Sequence, residues 1–256
     1  MQQRMIETRR TEGKRRLKVL IAMVTVLCLT GGAFLAMRSP FLDVDRLQIL
    51  SGPHTPAQEI TAAAGVPKHR ALVDVDTGAV ARRIRTLPWV RSVRVTKKWP
   101  ATVRIEVVER VPAAAVPAAA GGWALVDRFG RVLARVGAAP PDVPPVVDVA
   151  PVGGPGTNVW ASVRPSLAVA GALPRALVPR VAGVGPGEDG EVQLHLKPSG
   201  VARLGTPTDL AAKLSALVVV LDHVPMATSA GVAVVDVRVP TTPVVTRSLT
   251  PSSTGR

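Results

Sequence analysis

Gly185-Pro186-Gly187-Glu188-Asp189-Gly190 spells G-x-G-x-x-G, the pattern that cradles a dinucleotide pyrophosphate. That chemistry needs a strand before the loop and a helix after it, because the helix N-terminus holds the phosphates. Here the strand-like run Glu191 to Leu196 follows, and Pro186 stiffens the loop, so a glycine-rich turn between strands is the stronger reading. No GxSxG elbow and no P-loop occur. The carboxylate pairs Glu106/Glu109 and Glu188/Glu191 have the types for acid–base work, but neither has a partner arrangement visible in sequence. Cys28 is the single thiol, which excludes disulfide frameworks, cysteine-rich zinc sites and a CxxC redox pair. His54, His69, His195 and His223 form no HExxH or other close ligand pairing. The sequence therefore implies no catalytic residue, no cofactor and no metal. Trp89 and Trp99 are candidates for partner contact, although anchoring a turn in the core is the commoner role. Arg82, Arg83 and Arg85 read as a solvated helix face, with binding to anionic lipid or wall polymer as the minority alternative.

These residues sit in a chain of 256 positions that is 47% hydrophobic, enough for one large or two modest cores. Such a chain is not wholly disordered, and 24 Pro and 22 Gly without a three-residue period exclude collagen. The net charge of +14 is unevenly spread. Residues 1–38 hold eight Lys/Arg against Glu7 and Glu12, and the remaining surplus is diffuse. Arg outnumbers Lys 25 to 7, as a GC-rich genome would produce. With 3% aromatics and no focused basic stripe, nucleic-acid binding is disfavoured.

The concentrated charge adjoins Val19 to Met37, nineteen uncharged residues that span roughly 28 Å as a helix, close to a bilayer's hydrocarbon thickness. Seven basic residues (Arg4, Arg9, Arg10, Lys14, Arg15, Arg16, Lys18) precede it, which places residues 1–18 in the cytoplasm and everything after Met37 outside. A cleaved signal peptide is one competing reading, through the small triplet Gly31-Gly32-Ala33, but Phe34 and Leu35 carry the apolar run past it. A buried core helix is another, and it would have no reason for seven basic residues on one flank. In a retained anchor Cys28 is a small apolar residue in lipid.

Two textures follow. From 41 to 111, Val44–Ile49 alternates as a half-buried strand. Thr55-Pro56-Ala57-Gln58 has a capping-box form and predicts a helix to Ala64, stopped by Gly65 and Pro67. Asp76 caps a second helix over 77–85, with Val80, Ile84 and Leu87 on one face. Val93/Val95 and Val103/Ile105/Val107 alternate with polar residues on either side of Lys98-Trp99-Pro100-Ala101, a hairpin with one wet face. The order is strand, helix, helix, strand, strand. From 112 to 240, strands are expected at Trp123–Asp127, Arg131–Ala134, Val178–Val184, Glu191–Leu196, Val201–Leu204 and Val232–Val239. Helices are expected within 163–173 and from Thr206, the latter with Leu210, Leu214, Leu217, Val218 and Leu221 on one face. Residues 241–256 turn to Thr, Ser and Pro and read as a largely disordered tail. The fold class is α+β: one N-terminal transmembrane helix, a β-α-α-β-β domain and a second mixed domain dominated by an antiparallel sheet.

A single anchor followed by a β-α-α-β-β unit carrying LPWVRSVRVTKKWPATVRIEVVERVP resembles the POTRA domain of the FtsQ/DivIB bacterial cell-division proteins. Pro88-Trp89-Val90, the Trp99-Pro100 turn and the Glu109-Arg110-x-Pro112 exit carry the likeness most specifically. It extends through WALVDRFG (123–130), GVARLGTPTDLAAKLSAL (200–217) and GVAVVDVRVPTTPVV (231–245), and is weakest over 138–178. The resemblance implies a non-enzymatic divisome scaffold at the septum. Its implied partners are FtsL-like and FtsB/DivIC-like coiled-coil proteins and the septal peptidoglycan synthase complex, with no nucleic acid and no small-molecule substrate. It also implies partner binding by Val234, Val235, Asp236, Arg238, Thr241, Val244 and Val245, where the family's aromatics are replaced by Val and Arg247. The alternatives are a POTRA-bearing secretion component, which should show tandem POTRA units or a barrel, and an anchored accessory to an envelope enzyme.

Overall fold

The computed structural model describes residues 18–32, 43–223 and 233–247. Helix α1 covers 18–32 and is exposed throughout. Its threonines are satisfied by the preceding turn, Thr25 Oγ1 donating to Ile21 O (2.9 Å) and Thr30 Oγ1 to Val26 O (2.8 Å). Among the described residues no helix is long and apolar enough to cross a membrane. The expected span 19–37 runs on into residues outside those described.

The remaining chain divides into two compact units: one of residues up to Arg85 together with Ser92–Val108, the other of Thr86–Arg91 together with residues from Glu109 onward. In the first, β1 (Arg46–Leu50), α2 (Ala57–Ala64), α3 (Thr77–Ile84), β2 (Val90–Lys98) and β3 (Thr102–Glu109) follow the expected order. The sheet runs β1-β3-β2, with β1 parallel to β3 in the register Leu47↔Val103 and Ile49↔Ile105. That makes β3 the central strand, and Val103 and Ile105 are fully buried, as are Ile60, Leu72 and Ile84 from the helical layer. Asp76 caps α3 by accepting the Ala79 N–H (3.0 Å), and Gly65 ends α2 in the left-handed region at φ 55°. The capping box at Thr55 does not form: α2 starts after Pro56 with no side-chain cap, and Thr55 Oγ1 is buried without a partner. Arg83 differs from its expected role too. Its Nε donates to Ala64 O (3.0 Å), satisfying a carbonyl that the end of α2 leaves unpaired.

The second unit contains β4 (Pro112–Pro117), β5 (Trp123–Asp127), β6 (Val132–Val136), α4 (Arg164–Ala172), β7 (Val181–Pro186), β8 (Val192–Leu196), β9 (Val201–Gly205), α5 (Leu210–His223), β10 (Ala233–Asp236) and β11 (Val244–Arg247). Strands β4-β5-β6 form an antiparallel sheet, and β11-β10-β9-β8-β7 form a mixed one in which only the β9–β10 pair is parallel. A short seam joins them. Pro144 O accepts from Ala115 N–H (3.0 Å) and Val146 N–H donates to Ala115 O (2.7 Å) on the β4 side. On the β7 side Val147 N–H donates to Val184 O (2.9 Å) and Val184 N–H to Pro145 O (2.8 Å). The two sheets thus share one backbone ladder. Gly183 permits it, since a Cβ there would lie 2.7 Å from Val147 Cγ2. Helix α4 packs on β4, β7 and β8, and Leu167, Val169, Leu194, Leu204, Leu214 and Leu217 belong to one core.

Four features differ from expectation, two of them through strand pairing at long range (β4 and β11) and two through local turns (at Val178–Arg180 and Thr206–Asp209). β4 reads as a proline-flanked alanine linker, yet pairs along β5 from Pro112 to Pro117. Val178–Arg180 is a 3₁₀ turn, and the strand starts at Val181. Helix α5 starts at Leu210, because Thr206–Asp209 bends with Asp209 at φ 52° and the buried Lys213 Nζ donates back to Thr206 O (2.9 Å). The closing strand ends at Asp236, short of the expected 239, and a further strand, β11, lies in the segment expected to be a tail.

Candidate functional site

Strand β10 is held between two neighbours. It pairs parallel to β9 (Val234↔Val201, Val235↔Ala202, Asp236↔Arg203) and antiparallel to β11 (Val234↔Thr246, Val235↔Val245, Asp236↔Val244). If the chain left the fold after the strand expected over 232–239, that strand would be the edge of the fold. That is corrected: Val234, Val235 and Asp236 have backbone neighbours on both sides, and among the described residues β11 is the last strand of the sheet. The reversal between them closes with Thr242 N–H donating to Val239 O (3.2 Å), and the β-branched Val244-Val245-Thr246 suits a pleated strand. Val235 and Val237 are buried, Val234 is half-buried and Thr241 is exposed in the reversal. Val245 packs against the core, while Val244 is 57% exposed.

Arg238 is committed within the chain. Asp236 Oδ1 accepts from its backbone N–H (3.0 Å) and Nε (3.1 Å), and Oδ2 accepts from Nη2 (2.7 Å). Glu191 Oε2 lies 3.8 Å from Nη1. The hydrogen bonds from the Arg238 side chain hold the Asp236 carboxyl below its usual range against the opposing effect of burial, and Asp236 in turn raises the guanidinium. This clamp closes the reversal that feeds β11. The G-x-G-x-x-G segment starts on the last two residues of β7, continues through a 3₁₀ turn at Glu188–Gly190 and leads into β8, and it offers no α-helix N-terminus to a phosphate. Among the described residues no group of three His, Cys, Asp or Glu could hold a metal ion.

The Pro88-Trp89-Val90 segment lies in the second unit. Trp89 packs on Ala115, Leu125, Leu133 and Val143, and Val90 is fully buried. Arg110 binds this segment, its N–H donating to Trp89 O (2.7 Å) and its Nε to Val90 O (3.1 Å). Its Nη1 then reaches Asp127 Oδ2 at 2.6 Å. The Glu109-Arg110 and Asp127-Arg128-Phe129-Gly130 motifs are separately visible in sequence, but nothing in their spacing announces that they meet. Trp99, beside Pro100 in the β2–β3 turn, is exposed rather than a core anchor.

A strand with one paired side and one open side is a place where a second chain can extend the ladder. β11 has that form: among the described residues no strand pairs with its outer side. Comparison with known proteins gives this geometry a context. Residues 44–110 match the family model for the POTRA domain, FtsQ-type, and residues 114–238 match that for the cell division protein FtsQ/DivIB, C-terminal. The chain is 34% identical over 245 residues to a cell division protein FtsQ of Streptomyces collinus, covering 91% of this chain and 90% of the relative. The chain belongs to the FtsQ/DivIB family of cell-division proteins. A Streptomyces bingchenggensis FtsQ is 29% identical over 92% of this chain and 88% of its own. That of Mycolicibacterium smegmatis is 34% identical over 79% and 60%. The match to the FtsQ/DivIB C-terminal model ends at Arg238, so β11 lies beyond it.

Proposed function

We propose that this chain is a non-enzymatic divisome scaffold, anchored by a single helix over 19–37 and placed at the septum with its folded bulk outside the cytoplasmic membrane. It recruits the FtsL-like and FtsB/DivIC-like coiled-coil proteins, and through them the septal peptidoglycan synthase complex. The open side of β11 is the observation that carries this reading. A partner segment adds a strand there, its affinity coming from main-chain hydrogen bonds and its register from exposed side chains such as Val244 and Thr246. In this scheme Asp236 and Arg238 do not touch the partner; they hold the reversal that presents β11. Membership of a cell-division family and the basic flank before an apolar run support the placement.

The test is co-purification of the two coiled-coil proteins with the full chain in detergent. Blocking the outer ladder of β11 with proline, in protein that keeps its circular dichroism spectrum, should abolish recovery of both. Full recovery with that variant would place the docking surface elsewhere.

A further inference from the structure

Phe129 and Trp160 are 58% and 62% exposed, in a chain that has three Phe, four Trp and no Tyr. Single exposed apolar residues are ordinary, but two large exposed rings on adjoining segments are not. Arg131 and Asn158 form an antiparallel bridge, and Val159 N–H donates to Gly130 O (2.8 Å). Phe129 and Trp160 flank that contact, Phe129 in the turn closed by Gly130 N–H donating to Asp127 O (2.9 Å) and Trp160 next after Val159. Gly130, at φ 88°, permits the approach, since a Cβ there would meet Val159 Cγ2 at 2.9 Å. The surroundings are cationic. The Arg128 and Arg91 guanidiniums lie 4.7 Å and 5.8 Å from the Phe129 ring centre, and exposed Arg164 opens α4 four residues after Trp160. The segments 86–91, 127–131 and 151–165 hold four arginines and one carboxylate, Asp127. That carboxylate is buried and bonded to Arg110, and Glu109 at the end of β3 is already engaged.

We infer that this face is a second docking surface, separate from the β11 edge, that receives an acidic segment of a partner protein. Trp, Phe and Arg together are the composition of interface hot spots, and guanidiniums without carboxylates present forked donors to incoming Asp or Glu. A sugar ring would need an open aromatic face, and at Phe129 two guanidiniums already lie against the ring.

The experiment places a photoreactive benzoylphenylalanine at position 160 of the full chain in dividing cells and sequences the cross-linked peptide by mass spectrometry. The expected adduct is one partner peptide with an excess of Asp and Glu near the cross-link. Joint Arg91→Glu and Arg128→Glu should cut its yield by roughly tenfold or more, by setting like charges together. The β11 proline variant that stays folded should leave the yield unchanged, which separates this surface from the edge. A peptide without acidic excess, an adduct of glycan or lipid mass, an adduct indifferent to charge reversal, or no adduct from protein that retains its protease-resistant fold would each overturn the inference.

Discussion

Asp127 is 2% exposed, and both its oxygens are used: Oδ2 by Arg110 Nη1 at 2.6 Å, Oδ1 by the N–H groups of Phe129 and Arg131 at 2.9 Å. Removing one member of a buried ion pair leaves an uncompensated charge, so Arg110→Ala should destabilise the second unit by about 3–5 kcal/mol in a denaturant titration. Loss under about 1 kcal/mol would mean that Asp127 is adequately held by its two backbone donors alone. In the first unit, Ile105→Asp sets a carboxylate on the buried face of the central strand and should leave no protease-resistant domain. Arg104→Ala, one position away, removes a part-exposed pair with Glu106 (2.8 Å) and should cost no more than about 1 kcal/mol. Equal loss from both would refute the register of β3. The clamp at the β10–β11 reversal has a pH signature. Its carboxyl is depressed on folding, so it stabilises above the unfolded carboxylate value of about 3.9, and the contribution is lost as pH falls through the lower folded value. Asp236→Asn should therefore lower the melting temperature at pH 7 and approach the parent protein below about pH 4. A deficit that stays constant from pH 7 to pH 2 would rule out charge as the origin.

At the scale of elements, proline scanning of β11 separates docking from folding. Successive residues of a strand point their N–H groups to opposite sides, so Val244→Pro and Val245→Pro remove donors from different ladders. One should weaken the bonds to β10 and lower the melting temperature; the other should keep it and lose the coiled-coil partners. Two variants that both stay folded and both keep their partners would refute edge docking. The seam at 144–147 has its own test. Gly183→Ala should cost roughly 1–3 kcal/mol by overpacking against Val147, and Val147→Ala in the same chain should recover most of it. No recovery would show that the loss arises away from the seam.

For the whole molecule, the proposed topology predicts that a reporter fused after Arg256 works only if it functions outside the cytoplasm; a cytoplasmic signal would sink the anchor. The sequence by itself determined the strand-helix-helix-strand-strand order of the first unit, the Asp76 cap, the Gly65 stop and the buried alternation of Val103 and Ile105. Each of these rests on period, capping chemistry or a left-handed glycine, which neighbouring residues set. Only the tertiary structure decided the candidate site. Four residues of Val-Val-Thr-Arg after a proline-rich reversal carry too little local preference to announce a strand, and β11 exists through its ladder to β10. The same holds for β4, for the 144–147 seam and for Arg110 meeting Asp127, all made by groups distant in the chain. Local signals set which segments are regular. Which edge stays open depends on what the rest of the chain has already paired, because an edge is a property of the assembled sheet and not of any one strand.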